Sequence, residues 1–258
     1  MDSIRNIING KKGLIVGIAN ENSIAYGCAS VLRELGAEVA VTYLNAKAEK
    51  YVRPLADKLE APLVMPLDVE QPGQMQQVFS AIEQQWGKLD FVIHSIAFCP
   101  MDDLHGRVVD CSRDGFQQAM HVSCYSFVEM ARHAEPLMKD GGSLITMSYY
   151  GADKVVGNYN MMGPVKAALE SVSRYMASEL GPKGIRVHAV SPGPLKTRAA
   201  SGIAHFDQLI DDAIARAPQN KLVDIEDVGM TCAFLISNAA RSLTGQTIYV
   251  DGGHHIMA

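Results

Sequence analysis

The sequence predicts an α/β protein in which one doubly wound sheet of about seven parallel strands carries helices on both faces. Short apolar runs alternate with longer amphipathic stretches along all 258 residues, which is the pattern of a parallel sheet wrapped by helices. No linker rich in Pro, Gly or Ser, no repeat and no low-complexity tract interrupts this alternation. We therefore expect a single domain over residues 1–258.

The predicted strands are seven short apolar runs rich in β-branched residues. They lie at 13–18, 38–43, 63–66, 91–94, 143–149, 186–190 and 247–250. Six other stretches have apolar residues at helical spacing. These predicted helices lie at 24–35, 46–58, 72–86, 113–139, 159–180 and 225–237. Strands that alternate with helices in this way are typical of a Rossmann-type fold.

The segment near 197–219 follows the sixth predicted strand and contains no clear strand of its own. Long connections of this kind often carry function, so we expect this segment to cover a substrate. Two forms of the segment are open at this point. It is either a mobile lid of short helices or a rigid surface excursion.

Composition and charge exclude several classes of protein. A formal net charge of −5 without a dense Lys and Arg cluster argues against a nucleic-acid partner. Five cysteines without a Cys-x-x-Cys pair predict reduced thiols and a cytoplasmic location. No apolar run approaches the roughly 18 residues of a membrane span, so we expect no membrane association. The eight histidines show no zinc-ligand spacing, so we predict no metal.

In a doubly wound sheet, ligands bind beyond the carboxyl ends of the strands, so the residues after each apolar run are the candidate site. Gly17 ends the first strand and leads through a long loop to Ser23 and Ile24, where a helix is predicted to begin. The N-terminal amides of such a helix suit a pyrophosphate. The loop lacks the Gly-x-Gly-x-x-Gly pattern, and a plain strand-to-helix turn is the alternative.

Four further strand ends extend this candidate site. Leu44 follows the second strand, where an Asp or Glu commonly holds the ribose of NAD. Asp68 and Val69 follow the third strand and suit an adenine edge, although a capping role is the alternative for Asp68. The other two strand ends have small or conformationally fixed residues, which either let a cofactor approach closely or reflect tight packing. They are Ser95, Ile96 and Ala97 after the fourth strand and Pro194, Leu195 and Thr197 after the sixth.

Tyr159 and Lys166 form a candidate catalytic pair. Seven residues is two helical turns, so on a helix the phenol and the ammonium share one face. The unperturbed pKa values are about 10 for the phenol and about 10.4 for the ammonium, and a nearby cation is expected to lower the pKa of the phenol and make it a better hydrogen-bond donor. Tyr and Lys are common residues, and ordinary helix surface is the alternative interpretation.

Several motifs together resemble the short-chain dehydrogenase/reductase superfamily. They are the Gly17 loop, Tyr159-x6-Lys166, Pro192-Gly193-Pro194 and Val250-Asp251-Gly252-Gly253. Finer matches, such as His94-Ser95-Ile96-Ala97-Phe98 and Ser148-Tyr149-Tyr150-Gly151-Ala152, are similar to bacterial enoyl-[acyl-carrier-protein] reductases of the FabI type. Ordinary superfamily members have a serine thirteen positions before the tyrosine, whereas this chain has Thr146 there and Tyr149 ten positions before. An Asn-Asn-Ala-Gly run after the fourth strand is also absent, replaced by His94-Ser95-Ile96-Ala97. Both departures favour enoyl reduction.

This resemblance implies that NADH reduces the trans-2 double bond of an enoyl thioester, the last reduction in each cycle of fatty-acid elongation. It implies that Tyr159 donates a hydrogen bond to the developing enolate, that Lys166 holds the nicotinamide ribose and that Tyr149 lies over the substrate. An aromatic lid residue is the alternative for Tyr149. The expected acyl channel consists of apolar residues for which plain packing is the alternative. They are Phe98, Cys99, Met162, Ile203 and Phe206.

The resemblance also implies a cofactor and partners. Leu44 stands where the family often has a glutamine and Lys47 is near enough in sequence to meet a 2′-phosphate, yet NADH is favoured over NADPH. The partners implied are an acyl carrier protein and three further copies of the chain in a homotetramer. Lys196, Arg198 and Lys221 suit the acidic carrier, with solvated surface charge as the alternative.

Two other functions stay open on the sequence alone. One is a carbonyl reductase that acts on a ketone or a 3-oxoacyl thioester. The other is a non-catalytic regulator that binds NAD(H), which the intact tyrosine-lysine pair disfavours.

Overall fold

The core of the fold is one sheet of parallel strands in a computed structural model that describes residues 7–197 and 206–257. The strands are β1 (Lys12–Val16), β2 (Glu38–Tyr43), β3 (Val64–Pro66), β4 (Phe91–His94), β5 (Gly142–Met147), β6 (Ile185–Pro192) and β7 (Thr247–Val250). Their order in the sheet is β3-β2-β1-β4-β5-β6-β7, and every pair is parallel. The predicted fold class is confirmed.

Helices cover both faces of this sheet. They are α1 (Ile24–Glu34), α2 (Ala46–Lys58), α3 (Gln74–Trp86), α4 (Met101–His105), α5 (Arg113–Met120), α6 (Ser126–Ala134), α7 (Met162–Leu180), α8 (Phe206–Arg216) and α9 (Ile225–Ile236). The buried side chains of α1, α2 and α9 form the core on one face. Those of α3, α6 and α7 form the core on the other. Burial of both apolar layers stabilises the sheet between them.

The strand order reverses beside β1, which pairs with β2 on one side and with β4 on the other. The connections after β1 and β4 leave the sheet toward opposite sides, so a crevice opens at the carboxyl ends of these strands. The register aligns Ile15 with Ile93 and Val16 with His94. Gly17 and Ser95 are therefore neighbours where the two strands end.

The predicted helix at 113–139 is wrong as a single element. The chain forms α5, then a π-helical turn at His121–Tyr125, then α6 and a 3-10 turn at Glu135–Leu137. The backbone N–H of Ser126 donates to the carbonyl of His121, five residues back. α6 ends at Ala134, and the chain continues as a 3-10 turn in which Pro136 has no backbone N–H to extend the helical hydrogen bonds. Apolar periodicity does not reveal a single π-turn, since the helix continues on both sides of it.

The predicted helix at 159–180 begins later, at Met162. Asn158 and Asn160 have φ of 61° and 41°, which are left-handed values that a right-handed helix excludes. Tyr159 lies in this irregular turn. The expectation that Tyr159 and Lys166 share a helix face is therefore wrong, because only Lys166 is on the helix.

The candidate covering segment at 197–219 is only partly described. Residues 206–216 form α8, while Ile203 and Arg198 lie outside the described residues. Within 7–197 and 206–257, no helix combines the length and the apolar character needed to cross a membrane.

Candidate active site

The turn after β1 is shaped by Gly17. Its φ is +113°, and a Cβ at this position would lie 2.0 Å from the carbonyl oxygen of Ser95. Only glycine fits such a close approach of two backbones. Ser23 is buried, and its Oγ accepts hydrogen bonds from the backbone N–H groups of Ala19 and Asn20 at 3.0 and 3.1 Å. Its side chain folds the loop and does not cap α1, so the N-terminal amides of α1, beginning at half-buried Ile24, are left for another acceptor.

The ends of β2 and β3 lie side by side, since Leu67 N donates to the carbonyl of Tyr43 at 2.8 Å. Leu44 is 54% exposed there. Asp68 Oδ1 accepts from the backbone N–H of Glu70 at 3.0 Å, so this carboxylate holds its own turn, as the capping alternative stated. Val69 packs against the core. A second carboxylate oxygen leaves Asp68 able to bind a ligand as well.

The segments after β4 and β6 are held by the strands themselves. Ser95 N donates to the carbonyl of Val16 at 3.0 Å; Ser95 and Ile96 are half-buried and Ala97 is exposed. After β6, Gly193 N donates to Val250 at 2.8 Å. Of the residues predicted to bind a cofactor after β6, Pro194 and Leu195 are buried and Thr197 is half-buried.

Tyr149 and Tyr159 lie together just beyond β5. Their ring centroids are 4.8 Å apart, and the rings meet edge to face at 62°, a preferred geometry for aromatic pairs. Tyr159 belongs to an apolar cluster that includes Cys99 and Met162, and Tyr149 packs against that cluster. Tyrosines ten positions apart in sequence are thereby part of one surface.

Lys166 lies one turn and a half into α7 and is 4% exposed. Its Nζ donates to the carbonyl oxygen of Met147, at the end of β5, at 2.7 Å. Burial lowers the pKa of this ammonium to about 8, although Cys124 and Glu170 raise it. The lysine therefore changes charge within a range of pH that experiments reach easily.

The prediction of a lowered phenol pKa is wrong for Tyr159. Burial, followed by the charge of Glu170, raises the pKa of this phenol well above its ordinary value, because a phenolate away from water loses its solvation. The hydroxyl is consequently protonated throughout the neutral range. A protonated phenol is a hydrogen-bond donor, which is the form that the proposed chemistry needs.

His94 and Thr146 form a buried network beneath the site. His94 Nδ1 lies 2.8 Å from Thr146 Oγ1, and its Nε2 lies 2.8 Å from Ser126 Oγ. The hydroxyl of Ser126 donates to the carbonyl of Val122, so its oxygen accepts from His94 Nε2–H, and Nδ1 accepts from Thr146. Burial, followed by the positive charge of Lys166, lowers the pKa of His94 to about 3. The imidazole is thus neutral, and its two hydrogen bonds connect Thr146 of β5 to Ser126 of α6.

Two buried hydroxyls close to the strand ends lack hydrogen-bond partners: Tyr149 Oη and Ser191 Oγ. Burial, followed by the neighbouring phenols of Tyr150 and Tyr159, raises the pKa of Tyr149. Unpaired buried polar groups are costly unless a ligand or water completes them. Together with the close approach at Gly17 and the uncapped helix α1, they give this crevice unpaired hydrogen-bonding groups of the kind that a dinucleotide can complete.

The predicted acyl channel is brought together only in part. Cys99 and Met162 are buried in the cluster with Tyr159, and burial raises the pKa of the Cys99 thiol to about 11, so Cys99 is an unreactive thiol. Phe98 is 46% exposed, and its backbone N–H and carbonyl both bond the hydroxyl of Ser123. Ile203 lies outside the described residues, and Phe206 is the first residue of α8.

Comparison with known proteins gives this geometry a family. A family model described as enoyl-(acyl carrier protein) reductase matches residues 17–255. The chain belongs to this family. It is 46% identical over 255 residues to "Enoyl-[acyl-carrier-protein] reductase [NADH] 1" of Rhizobium meliloti (strain 1021), covering 99% of this chain and 94% of that one.

Solved structures of the family have the same fold. The enoyl-[acyl-carrier-protein] reductase (NADH) of Aquifex aeolicus VF5 superposes with a TM-score of 0.95 at 44% identity, covering 98% of this chain and 99% of that one. The reductase of Anaplasma phagocytophilum, crystallised in complex with NAD, superposes with a TM-score of 0.94 at 44% identity, covering 98% and 96%.

Sequence reasoning missed the polar groups that support Lys166. Ser148 and Glu170 form a hydrogen bond beside the lysine. Glu170 follows Lys166 by four residues, and this spacing puts a carboxylate one helical turn away. That signal was present in the sequence, whereas the bond to Ser148 depends on how β5 and α7 pack. Among residues 7–197 and 206–257, no group of three or more His, Cys, Asp and Glu side chains is arranged to hold a metal ion.

Proposed function

We propose that this chain is an NADH-dependent reductase of the trans-2 double bond of enoyl thioesters carried by acyl carrier protein, in fatty-acid synthesis. The observation that carries the proposal is the edge-to-face pair of Tyr149 and Tyr159, whose ring centroids are 4.8 Å apart. This pair lies just beyond β5, and the last residue of that strand, Met147, accepts a hydrogen bond from Lys166 of α7. Membership of the enoyl-(acyl carrier protein) reductase family supports it. So does the similarity to relatives such as the NADH-dependent enoyl-[acyl-carrier-protein] reductase of Rhizobium meliloti.

NADH supplies the hydride when it is bound. The close turn at Gly17 and the N-terminus of α1, with Ser23 and Ile24, are assigned to the pyrophosphate. Asp68 and Val69 are assigned to the adenine, and exposed Leu44 to the edge of the adenosine ribose. Lys166 is assigned to the nicotinamide ribose, since a compact ammonium donates several hydrogen bonds. The remaining contacts are assigned to the strand ends of β4 and β6, namely Ser95, Ile96, Ala97, Pro194, Leu195 and Thr197.

Tyr159 is assigned as the donor to the thioester carbonyl oxygen. Reduction at the β-carbon of the enoyl group places negative charge on that oxygen, and a donor held against it lowers the barrier by about 2.7 to 4 kcal/mol. The raised pKa of Tyr159 keeps its proton in place. Tyr149 is assigned to the wall over the substrate, where its unpaired hydroxyl would gain a partner.

The acyl chain is assigned to the apolar cluster that contains Cys99 and Met162. Phe98, which is 46% exposed and precedes Cys99 in sequence, is assigned to the same channel. We assign the segment near 197–219, with Ile203 and Phe206, to covering the substrate. The described part of that segment, α8, lies against the chain end at 254–256.

A substrate panel tests the proposed reaction. Purified protein is mixed with NADH and, separately, a trans-2-enoyl thioester, a 3-oxoacyl thioester and a simple ketone, and absorbance at the NADH band is followed. Consumption of NADH with the enoyl thioester alone supports the proposal. Consumption only with the ketone or 3-oxoacyl thioester would instead indicate a carbonyl reductase, and tight NADH binding without turnover on any of them would indicate a regulator.

We propose the homotetramer that the family resemblance implies, and large apolar side chains left exposed on the helices that flank the sheet support an assembly of this kind. They are Phe116, Tyr125, Tyr175, Met230 and Phe234. The apolar side chains of Val165, Leu169 and Met176 on α7 are buried in the core and are not part of this exposed set. Light scattering coupled to gel filtration tests this, and a monomer at micromolar concentration would contradict it.

The acyl carrier protein is the proposed protein substrate, and the cytoplasm is the proposed location. All five cysteines are free thiols, which suits a reducing compartment. Lys196 forms an exposed ion pair with Asp207 at 3.4 Å, so its charge is partly balanced. Lys221 is exposed and is the better described candidate for an acidic carrier.

A further inference from the structure

Two consecutive residues at the end of β5 bind two residues one helical turn apart on α7. Met147 accepts a hydrogen bond from Lys166 Nζ at 2.7 Å. Ser148 Oγ donates to Glu170 Oε1 at 2.5 Å. Met147, Ser148 and Lys166 are all buried, while Glu170 is half-buried. These two bonds, which we call the β5–α7 bridge, fix the helix to the strand immediately before Tyr149.

The short bond to Ser148 fixes the Glu170 carboxylate in place. A hydrogen bond to an ionised acceptor is stronger and shorter than a neutral one. Without it, a half-buried glutamate on a helix is free to turn its carboxylate to solvent. The bridge therefore holds a negative charge near the catalytic lysine.

Charged and titratable groups face the bridge from several elements. Lys166 experiences His94 of β4, Cys124 of the π-turn and Glu170 of its own helix. His94 is neutral because burial lowers its pKa to about 3, and burial also keeps the thiol of Cys124 protonated by raising its pKa. Among the described residues, Cys124 and then Glu170 raise the pKa of Lys166, and Glu170 is the carboxylate of the two.

Glu170 also acts on two phenols. Its charge contributes to the raised pKa of Tyr159 and to that of Tyr249, which is on β7. Burial is the larger cause in both cases. A negative charge near a phenol opposes the loss of its proton. The same carboxylate therefore favours the ammonium form of Lys166 and the protonated form of Tyr159, the two forms on which the proposed function depends.

We propose that Glu170, held by Ser148, is a positioning residue that keeps Lys166 charged and directed at the nicotinamide ribose. The inference rests on the proposed role of Lys166 toward NADH, but not on which thioester is reduced. Glu170 touches neither reacting group in this account and acts through the lysine. Its effect should therefore appear in the pH dependence of NADH binding, which a residue that merely supports the fold would leave unmoved.

The test is the affinity for NADH, measured by its fluorescence between pH 6 and 9.5 for the full chain and for four variants. In the unaltered protein we expect affinity to weaken with a midpoint near pH 8, where Lys166 loses its proton. Lys166→Met should bind weakly with no midpoint in this range. Glu170→Gln should move the midpoint to lower pH, because the variant lacks the carboxylate charge that favours the ammonium form of Lys166.

Two further variants complete the design. Ser148→Ala should move the midpoint in the same direction by a smaller amount, because the carboxylate is then released and not removed. Glu179→Gln, on the exposed side of the same helix, is the matched control and should not move it. At pH 6 we expect Glu170→Gln to bind NADH saturably, with an affinity within about twofold of the unaltered protein. This result would show that the variant is folded and that Lys166, which is protonated at that pH, still binds NADH.

The inference is overturned if the midpoint of Glu170→Gln lies within about 0.2 pH units of the midpoint of the unaltered protein. Such a change is far smaller than the shift expected when a neighbouring opposite charge is removed. If Lys166→Met keeps the midpoint too, the assignment of the lysine to NADH also fails. Turnover of the enoyl thioester at pH 6.5, measured on the same preparations, separates these results from a failure of the proposed reaction.

Discussion

The rings of Tyr149 and Tyr159 meet edge to face with their centroids 4.8 Å apart. Ten residues and an irregular turn separate them in sequence, yet both lie just past the end of β5. The hydroxyl of Tyr149 is buried without a hydrogen-bond partner, while Tyr159 is 7% exposed. A pair so arranged offers two phenols to one small group, and several predictions depend on it.

Tyr149→Phe should stabilise the free protein and weaken catalysis. Removing a buried hydroxyl without a partner should raise the free energy of unfolding by about 1 kcal/mol. If the hydroxyl meets the substrate, kcat/KM for an enoyl thioester should fall about tenfold. Urea unfolding and steady-state kinetics measure the two effects. Tyr175→Phe, at a side chain that is 71% exposed, is the control, and equal changes in both variants would contradict the prediction.

Gly17→Ala should destroy the cofactor site. The new Cβ would lie 2.0 Å from the carbonyl oxygen of Ser95, so one of the two strand ends must move, at a cost of about 3 kcal/mol or more. Gly73→Ala is the matched control, because Gly73 also has a positive φ, +86°, but nothing within 4 Å of a Cβ; it should cost about 1 kcal/mol. Calorimetric titration with NADH should detect binding to the Gly73 variant only. Tight binding to the Gly17 variant would remove this turn from the cofactor site.

Asp68→Asn separates the two roles considered for this residue. Asn retains an oxygen that can accept from Glu70 N, so the turn held at 3.0 Å should persist and the melting temperature should stay the same. Loss of the charge should weaken NADH binding about tenfold, as expected for a hydrogen bond to a charged group. A variant with unchanged affinity and unchanged melting temperature would assign Asp68 to the turn alone.

Stability should fall as the solution is acidified below about pH 6.5, the pKa of histidine in an unfolded chain. Burial lowers the pKa of His94 to about 3 and, with Arg186 nearby, that of His188 to about 4. Between its native pKa and the unfolded value of about 6.5, each histidine is protonated in the unfolded state and neutral in the native state. Each therefore lowers the free energy of unfolding by about 1.4 kcal/mol per pH unit of acidification. Above pH 6.5 this contribution is fully present.

His188→Gln tests this linkage. The variant should lose stability less steeply between pH 6 and 4.5, whatever its stability at neutral pH, because one proton-binding difference is gone. Urea midpoints at several pH values give the slope. An unchanged slope would mean that His188 binds its proton equally in the native and unfolded states over this pH range.

The sheet was predictable because each strand is specified by a short run of neighbouring residues. Each central strand is an apolar run such as Phe91–His94, and the rule that ligands bind beyond the carboxyl ends of parallel strands places Gly17 and Ser95 in one crevice. The structure brings those two residues into backbone contact.

The details of the catalytic region were less predictable because they depend on backbone irregularities and on packing. Spacing placed Tyr159 on a helix, but Asn158 and Asn160 adopt left-handed backbone conformations that an alternation of apolar residues does not encode. The sign of the pKa shift of Tyr159 followed from burial, which a pairwise argument about Lys166 omits. The bond from Ser148 to Glu170 joins residues 22 positions apart and exists only once β5 and α7 are packed.

The most direct test of the account is the rate of NADH oxidation by Tyr159→Phe with a trans-2-enoyl thioester, alongside its affinity for NADH. The account predicts that kcat falls about 10²- to 10³-fold, the usual effect of removing one donor to a developing oxyanion, while NADH binds as before. A variant that keeps the turnover of the unaltered protein would contradict the assignment of Tyr159 as the donor.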